Sequence, residues 1–309
     1  MGRLTSYALT SYGTRVTIRI NMKKFNKITI IGVGLIGGSI GLAVKKRHLA
    51  KEVVGVFRRA STMKRALARK AVDRATLSVA EGVKGADLII VASPVYFIPE
   101  LVCKAIGHAE DGAIITDVGS TKAWITNEVA LFAGKRPDIS FVGSHPMAGS
   151  EHAGVEFARS DLLEGSPCIV IKPFDKNAKA FKAVSGFWKS LGAKVSVMTP
   201  AEHDEAIALV SHLPHVMAFS LAGAVPEKFL KYAAEGFKDT TRVASSDPEL
   251  WADIFLSNRI EVLRSVKAFE ASYKELVRAL SVGSYRSIVR ILGKAKRRRD
   301  KFTHRRYGS

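Results

Sequence analysis

Cysteine is scarce in this sequence, with only Cys103 and Cys168 among 309 residues and no close spacing between them. Such usage argues against a disulfide scaffold or a metal site, and it fits a protein of the reducing cytosol. Long apolar runs are also lacking, because no stretch approaches the roughly 18 residues that a membrane-spanning helix needs. The sequence therefore predicts a soluble, cytoplasmic protein with no bound metal and no membrane partner.

Acidic residues are few: 28 Asp and Glu face 48 Lys and Arg, which gives a formal net charge of +20. The excess lies mostly at the ends, since residues 1–27 contain six basic residues and no acid, and residues 294–309 contain eight against Asp300 alone. A basic balance can indicate nucleic-acid binding, but basic tails are usually solvated and disordered. We therefore do not expect nucleic acid as a partner.

The chain is long enough for two domains, and its composition divides it into four segments. Residues 1–21, rich in Ser and Thr and free of acids, are interpreted as a disordered or mis-started extension before Met22, with a transit-like segment as the alternative. Residues 22–199 are predicted to form a dinucleotide-binding domain, residues 200–293 a helical substrate and dimerisation domain, and residues 294–309 a basic tail.

A glycine-rich turn after the first strand organises the predicted nucleotide-binding domain. An apolar strand at residues 28–32 ends in Gly32. Gly32, Gly34 and Gly37 have G-x-G-x-x-G spacing, and an apolar helix follows them. Strand, glycine turn and helix in this order are the context that a dinucleotide fingerprint requires. The first glycine permits the turn, the second lets a pyrophosphate approach, and the third allows close packing of helix on strand. Leu35 and Ile36 complete the predicted cofactor loop.

Strand and helix patterns then alternate up to about residue 199. The predicted strands are Glu52–Phe57, Ala86–Ser93, Ala113–Asp117, Ser140–Ser144, Cys168–Ile171 and Ala193–Met198. The predicted helices are Ser61–Ala71, Ala178–Leu191, Ala201–Ala224, Phe229–Ala234, Pro248–Ala279 and Tyr285–Arg299. This order predicts an α/β Rossmann-like, doubly wound, mostly parallel sheet followed by an all-α C-terminal domain.

The helix from Ala206 predicts a homodimer. Its apolar residues cover more than one face, which is typical of a helix buried on most sides: Ile207, Val210, Met217, Phe219 and Leu221. In a small helical domain such burial requires a partner subunit, so we expect the dimer to form through this half.

The end of the second strand favours NADP over NAD. An acid about 20 residues after the glycines normally accepts the ribose 2′-hydroxyl of NAD, but Phe57 stands there and Arg58 and Arg59 follow. A guanidinium can pair with a 2′-phosphate. The alternative is that both arginines are solvated in a loop and that the coenzyme is NAD.

Polar loops follow three strands at the carboxyl edge of the predicted sheet, where open α/β sheets bind ligands. They contain Ser93, Ser120 and His145 respectively. Oxidation of a carbinol needs an acceptor for the hydroxyl proton, and a neutral histidine near pH 7 suits that role. His145, just past a strand, is therefore the candidate base, and Ser93 a candidate cofactor contact.

Five motifs together resemble the prephenate/arogenate dehydrogenase family of tyrosine biosynthesis over about residues 27–280. They are Gly-Val-Gly-Leu-Ile-Gly-Gly-Ser (32–39), Asp-Val-Gly-Ser-Thr-Lys (117–122), Ser-His-Pro-Met-Ala-Gly-Ser-Glu (144–151), Ser-His-Leu-Pro-His (211–215) and Gly-Phe-Lys-Asp-Thr-Thr-Arg-Val-Ala-Ser-Ser-Asp-Pro-Glu-Leu-Trp (236–251). The resemblance implies oxidative decarboxylation of prephenate to 4-hydroxyphenylpyruvate, or of arogenate to tyrosine, with hydride transfer to NAD(P).

The same resemblance implies roles for individual residues. His145 would accept the hydrogen bond of the ring hydroxyl, and Ser120 would orient it or the cofactor. Arg242 would hold a substrate carboxylate, because arginine can bind it in a fixed, bidentate geometry. The remaining substrate-proximal candidates are Glu151, His212 and His215.

The sequence leaves three functions open. Besides the prephenate or arogenate enzyme, they are another two-domain NAD(P)-dependent hydroxyacid dehydrogenase and, from a different class, a cofactor-sensing or nucleic-acid-binding protein. The chain stops soon after its last helix, so we expect a monofunctional enzyme without a regulatory domain and do not predict feedback by tyrosine.

Overall fold

The computed structural model describes residues 8–11, 14–17, 24–149, 153–172 and 177–307. The chain divides into two compact units, Met1–Asn258 and Arg259–Ser309, and each is described by itself. The candidate site lies in the first unit. The predicted boundary near residue 199 separates the dinucleotide-binding domain from the helical domain, and it stays a prediction.

Eleven strands are present among the described residues. They are β1 Ala8–Ser11, β2 Thr14–Thr17, β3 Phe25–Ile31, β4 Ala50–Val56, β5 Arg74–Thr76, β6 Leu88–Val91, β7 Ile114–Asp117, β8 Ser140–Phe141, β9 Ser144–Pro146, β10 Pro167–Ile171 and β11 Lys194–Met198. The α-helices of the first unit are α1 Leu35–Lys46, α2 Ala60–Ala68, α3 Val79–Val83, α4 Ile98–His108, α5 Ala123–Ala133, α6 Ala178–Ser190, α7 Pro200–Ile207, α8 Leu213–Ala224, α9 Glu235–Thr241 and α10 Pro248–Ser257. The second unit contains α11 Arg259–Ser281 and α12 Tyr285–Tyr307.

A six-stranded parallel sheet forms the centre of the first unit, in the order β5-β4-β3-β6-β7-β8. Strand β6 is apolar and buried at every position, and Ile28 and Ile30 of β3 are also buried. Parallel strands covered on both faces have this composition. The strand order reverses between β3 and β6, so a ligand crevice is expected at their carboxyl ends. This sheet confirms the predicted Rossmann-like class.

The predicted strand Ser140–Ser144 is wrong as a single element. The chain leaves the parallel sheet after β8 and enters a second, three-stranded sheet of order β11-β10-β9, in which β9 runs antiparallel to β10. The break occurs because Asp117 holds the main chain beyond Gly143: its Oδ1 accepts a hydrogen bond from the Ser144 N–H at 3.1 Å. His145 therefore lies within β9 and not just past a strand.

The helix predicted over Ala201–Ala224 is interrupted by a π turn at Ala208–His212, two residues before Pro214. Proline has no N–H for the helical ladder, and a π turn accommodates its ring. By length and composition, Pro200–Ala224 could also cross a membrane, so the expectation that no apolar run reaches this length is wrong. Only 22% of the most apolar 18-residue stretch of this segment is buried, and Val210 is 67% exposed. Such a surface fits the predicted partner subunit.

The helix predicted over Pro248–Ala279 breaks at Asn258, which separates α10 from α11. The backbone of Asn258 is no longer helical (φ −120°, ψ 28°). Its Nδ2 donates a hydrogen bond to the Asp204 carbonyl oxygen at 2.9 Å. The segment Phe229–Ala234 is a 3₁₀ helix, Glu227–Tyr232, and α9 was not predicted.

The two basic ends are more regular than predicted. Over the described residues, β1 and β2 pair as an antiparallel hairpin in the N-terminal extension. Helix α12 continues through the basic tail to Tyr307. Lysine and arginine are good helix formers, and Lys296 pairs with Asp300 one turn later at 2.6 Å, which favours the helical tail.

Candidate active site

The glycine turn has the geometry of an anion cradle. Gly32 has φ +92°, and a Cβ there would lie 2.5 Å from the Ala92 carbonyl oxygen. A Cβ on Gly37 would lie 2.1 Å from the Gly32 carbonyl oxygen, whereas one on Gly34 would meet nothing within 4 Å. Gly34 is the N-cap of the twelve-residue helix α1 and has no side chain to bond the N–H groups of the first turn, which leaves room beside Gly34 for a ligand. These features fit a pyrophosphate.

A cavity of about 600 Å³ lies beside this turn, at the carboxyl ends of β3, β4 and β6. Four of the predicted cofactor residues line it: Gly32, Gly34, Arg58 and Ser93. Within the part of the chain that the structure describes, the other four predicted residues do not line it. Leu35 and Ile36 begin α1, Gly37 packs on Gly32, and Arg59 precedes α2 as its N-cap.

The cavity wall also contains basic and polar side chains that the sequence did not single out, among them Thr62, Arg65 and Lys104. Arg65 pairs with Glu156 at 2.5 Å, and Lys104 pairs with Glu100 at 2.6 Å. Helix α2 brings Thr62 and Arg65 near Arg58. Two of the three cations that line the cavity are thus paired with glutamates, and Arg58 is the cation that the sequence predicted as a ligand of the 2′-phosphate.

The loop 117–122 is anchored by an ion pair whose two side chains are 0% exposed, between Lys122 Nζ and Asp117 Oδ2. The same oxygen accepts the Gly119 N–H at 2.8 Å, while Ser144 Oγ donates to the Asp117 carbonyl oxygen at 2.6 Å. The pair therefore holds the loop against β9. Ser120, the predicted partner of His145, lies half-buried on this loop.

His145 contacts a second histidine that sequence reasoning missed. Its Nδ1 lies 2.8 Å from Nε2 of His203, whose own Nδ1 lies 2.7 Å from Asp204 Oδ1. Burial lowers the pKa of His145 well below its usual value and also lowers the pKa of His203, so both imidazoles are neutral near pH 7. The only sequence signal was the pair His-Asp in the first turns of α7, behind a Thr199 cap.

His212 and His215 both contact the Trp251 ring. The His215 ring stacks on the Trp251 indole with centroids 3.4 Å apart, and Trp251 belongs to a buried apolar cluster. Burial lowers the pKa of His212 to about 4. Among the described residues, His212 Nε2 is a buried polar atom without a hydrogen-bond partner. Because Asn258 Nδ2 donates to His212 Nδ1 at 3.3 Å, the ring proton is on Nε2.

Arg242 begins a short 3₁₀ helix, Arg242–Ser245, and its side chain is exposed. Burial lowers the pKa of His215, and the positive charge of Arg242 lowers it further, which places the two groups within electrostatic range. Glu151 lies outside the described residues.

Two consecutive family profiles match this chain. The nucleotide-binding domain of prephenate dehydrogenase matches residues 40–197, and the dimerization domain of prephenate dehydrogenase matches residues 199–294. The chain belongs to the prephenate dehydrogenase family. The predicted membership is thereby confirmed, and the protein is an NAD(P)-dependent oxidoreductase of tyrosine biosynthesis.

Individual members of the prephenate dehydrogenase family are similar over most of the chain. Prephenate dehydrogenase of Bacillus subtilis is 36% identical over 246 residues, which is 76% of this chain and 65% of that protein. The structure of prephenate dehydrogenase from A. aeolicus, in complex with hydroxyphenyl propionate and NAD⁺, has a TM-score of 0.83 and 30% identity, and the match covers 92% of this chain and 100% of that one. Synechocystis arogenate dehydrogenase has a TM-score of 0.77 and 29% identity, with 89% and 99% covered.

Proposed function

We propose that this family member catalyses the oxidative decarboxylation of prephenate to 4-hydroxyphenylpyruvate, or of arogenate to tyrosine, and prefers NADP. The observation that carries the proposal is a neutral, hydrogen-bonded His145 beside the loop 117–122 at the carboxyl edge of the sheet. A base in this position suits a substrate whose hydroxyl proton must leave as its carbon is oxidised. The related enzymes from Bacillus and Synechocystis are named for the two alternative substrates.

The chemistry balances with one base. The bound coenzyme supplies the hydride acceptor. His145 Nε2 accepts the proton of the ring hydroxyl, while the carbon that carries this hydroxyl loses a hydride and becomes a ketone. The bond between the ring and its carboxylate then breaks, CO₂ leaves, and the electron pair passes through the ring to the oxygen, which recovers the proton from His145. Aromatisation drives the reaction, so the protein needs chiefly to position the reacting groups.

The remaining residues of the proposed site bind and orient the substrate. Arg242 binds a carboxylate of the substrate. His215 lies near Arg242, whose positive charge contributes to the lowered pKa of His215. The Nε2–H of His212, which has no hydrogen-bond partner among the described residues, donates to an acceptor on the substrate. Ser120 orients His145 or the coenzyme, and Glu151 contacts the substrate side chain, where arogenate carries an ammonium group.

The protein is proposed to act as a cytoplasmic homodimer through its C-terminal half. The support is the match to a dimerization domain together with the exposed apolar side chains of the segment Ala206–Ala224, such as Leu209 and Val210. A dimer interface would cover this surface.

Steady-state assays with prephenate or arogenate, each with NAD or NADP, test the proposal by following the reduced coenzyme. Turnover with either substrate supports the proposed reaction, and the fastest combination identifies substrate and coenzyme together. Absence of turnover in all four combinations, for a protein that still binds a nicotinamide coenzyme, would refute the proposed reaction.

Replacement of Arg58 by glutamine is expected to raise KM for NADP by about 10- to 100-fold, because one charge-assisted hydrogen bond to the 2′-phosphate is lost. KM for NAD should stay unchanged. Arg59→Gln is the matched control, since it removes the same charge from the neighbouring residue that does not line the cavity. Equal effects of the two substitutions would contradict a specific role for Arg58.

Replacement of Arg242 by glutamine is expected to weaken substrate binding by about 2 to 4 kcal/mol, since a carboxylate loses its charged partner. The measurement is KM for the substrate, with KM for the coenzyme as an internal reference. Lys238→Gln removes a similarly exposed cation one turn earlier and should have little effect. An unchanged KM for the substrate in the Arg242 variant would remove this residue from the binding site.

A further inference from the structure

A chain of three side chains, Asp204, His203 and His145, connects the first turns of α7 to the proposed base. The two links are 2.7 Å and 2.8 Å long, and the His203 side chain is 0% exposed. Neither His203 nor Asp204 is used in the reaction proposed above. Their position behind the base raises the question of which ring nitrogen of His145 carries its proton.

The direction of these hydrogen bonds follows from Asp204. Its Oδ1 accepts the Lys122 N–H at 2.7 Å, and its Oδ2 accepts the Ala123 N–H at 2.8 Å, at the N-terminus of α5. Main-chain N–H groups can only donate, and a helix N-terminus favours a negative charge. Asp204 is therefore an acceptor at both oxygens, and the Nδ1 of His203 must donate to it.

The proton positions on both rings are then determined. A neutral imidazole has one donor and one acceptor, so His203 with its proton on Nδ1 presents an unprotonated Nε2. That atom accepts a hydrogen bond from Nδ1 of His145, which leaves Nε2 of His145 unprotonated. We propose that His203 and Asp204 are positioning residues that hold His145 in the tautomer whose Nε2 can accept the substrate proton. This inference rests on the proposed role of His145 as the base.

The opposite tautomer of His145 would serve the reaction badly. It would place an N–H where the hydroxyl proton must be accepted. Nδ1 of His145 and Nε2 of His203 would then both be unprotonated, and their lone pairs would repel each other. When His145 becomes an imidazolium, its Nδ1–H strengthens the hydrogen bond to His203, and the Asp204 carboxylate at the far end compensates the charge. A similar arrangement of a carboxylate behind a histidine orients the base in serine hydrolases.

Other contacts fix the far end of this chain. The Asp204 carbonyl oxygen accepts a hydrogen bond from Nδ2 of Asn258. The Asp204 carboxylate caps α5 directly after the loop 117–122. The carboxylate behind His203 is thus fixed to the end of the loop that carries Ser120.

Two substitutions of His203 separate positioning from simple packing. Glutamine places its amide near the position of Nε2 and can still accept from His145, whereas asparagine reaches only the position of Nδ1 and leaves His145 without an acceptor. His203→Asn is expected to lower kcat by about 10- to 100-fold with little change in KM, as for other residues that orient a functional histidine. His203→Gln should retain most of the activity. Thermal unfolding of both variants reports on folding.

The tautomer itself is measured by ¹⁵N NMR of the imidazoles in the full-length protein, with the His145 signals assigned by their loss in His145→Asn. The expected result for the unsubstituted protein is a protonated Nδ1 and an unprotonated Nε2 on His145, with mixed tautomers in His203→Asn and the native tautomer in His203→Gln. A proton on Nε2 in the unsubstituted protein, or an unchanged kcat in a folded His203→Asn protein, would overturn the inference. Failure of the proposed reaction would instead abolish turnover and leave the NMR result unchanged.

Discussion

Replacement of His145 by asparagine is expected to lower kcat by about 10² to 10⁴-fold, the usual contribution of a positioned general base. Asparagine is similarly polar and smaller, but it has no unprotonated nitrogen to accept the hydroxyl proton. The coenzyme cavity beside Gly32 does not include this side chain, so the dissociation constants of the coenzymes should be unchanged. The measurements are steady-state kinetics and a coenzyme titration on the same preparation.

His108→Asn is the matched control, because this histidine is exposed at the end of α4. The pH profile of the unsubstituted enzyme adds an independent test. Burial lowers the pKa of His145, so the base stays neutral as the pH falls, and kcat/KM should decline only below the ordinary histidine value of about 6.5. A His145→Asn protein that retained normal turnover would exclude His145 from the reaction.

Replacement of Asp117 by asparagine is expected to lower the free energy of unfolding by about 3 to 5 kcal/mol, because the Lys122 ammonium is left buried without a counter-charge. Both side chains of this pair are 0% exposed, so water cannot replace the lost partner. The asparagine amide would also present a donor to the Gly119 N–H that Asp117 now accepts. Urea unfolding of the substituted and unsubstituted proteins measures the difference.

The double substitution Asp117→Asn with Lys122→Met removes the unpaired charge and should cost less than the sum of the two single substitutions. Asp111→Asn provides the control, because that carboxylate is 87% exposed and pairs with Arg136 at 3.1 Å on the surface. Its loss should change stability by less than about 1 kcal/mol. Strict additivity in the double variant would show that the buried pair contributes nothing through its charges.

Several elements of the fold could be predicted because their causes are local. The strand before Gly32 ends in four uncharged β-branched residues, the turn needs a positive φ that glycine supplies, and a helix follows directly. Thr199 and Pro200 likewise mark the start of α7, where the structure contains a complete capping box. Such signals act within a few residues, so they can be recognised without knowledge of the tertiary contacts.

Other features depended on partners distant in the chain. The break after Phe141 results from hydrogen bonds of Asp117 to Ser144, 27 residues apart, and the end of α10 from a contact of Asn258 with Asp204, 54 residues apart. The role proposed for His203 has the same origin, since it depends on a neighbour 58 residues earlier. Pattern and propensity carry no information on such pairs.

Residue types at short, fixed spacings were enough to establish the class of the fold, the glycine cradle, the absence of an acid after the second strand and the family to which the chain belongs. The order of the chain preserves such spacings, so they can be recognised before any packing is known. Three-dimensional packing was needed to show that β9 joins a separate sheet, that Arg58 and not Arg59 lines the cavity, and that Asp204 and His203 stand behind His145. These outcomes depend on buried polar groups that must find hydrogen-bond partners wherever packing places them.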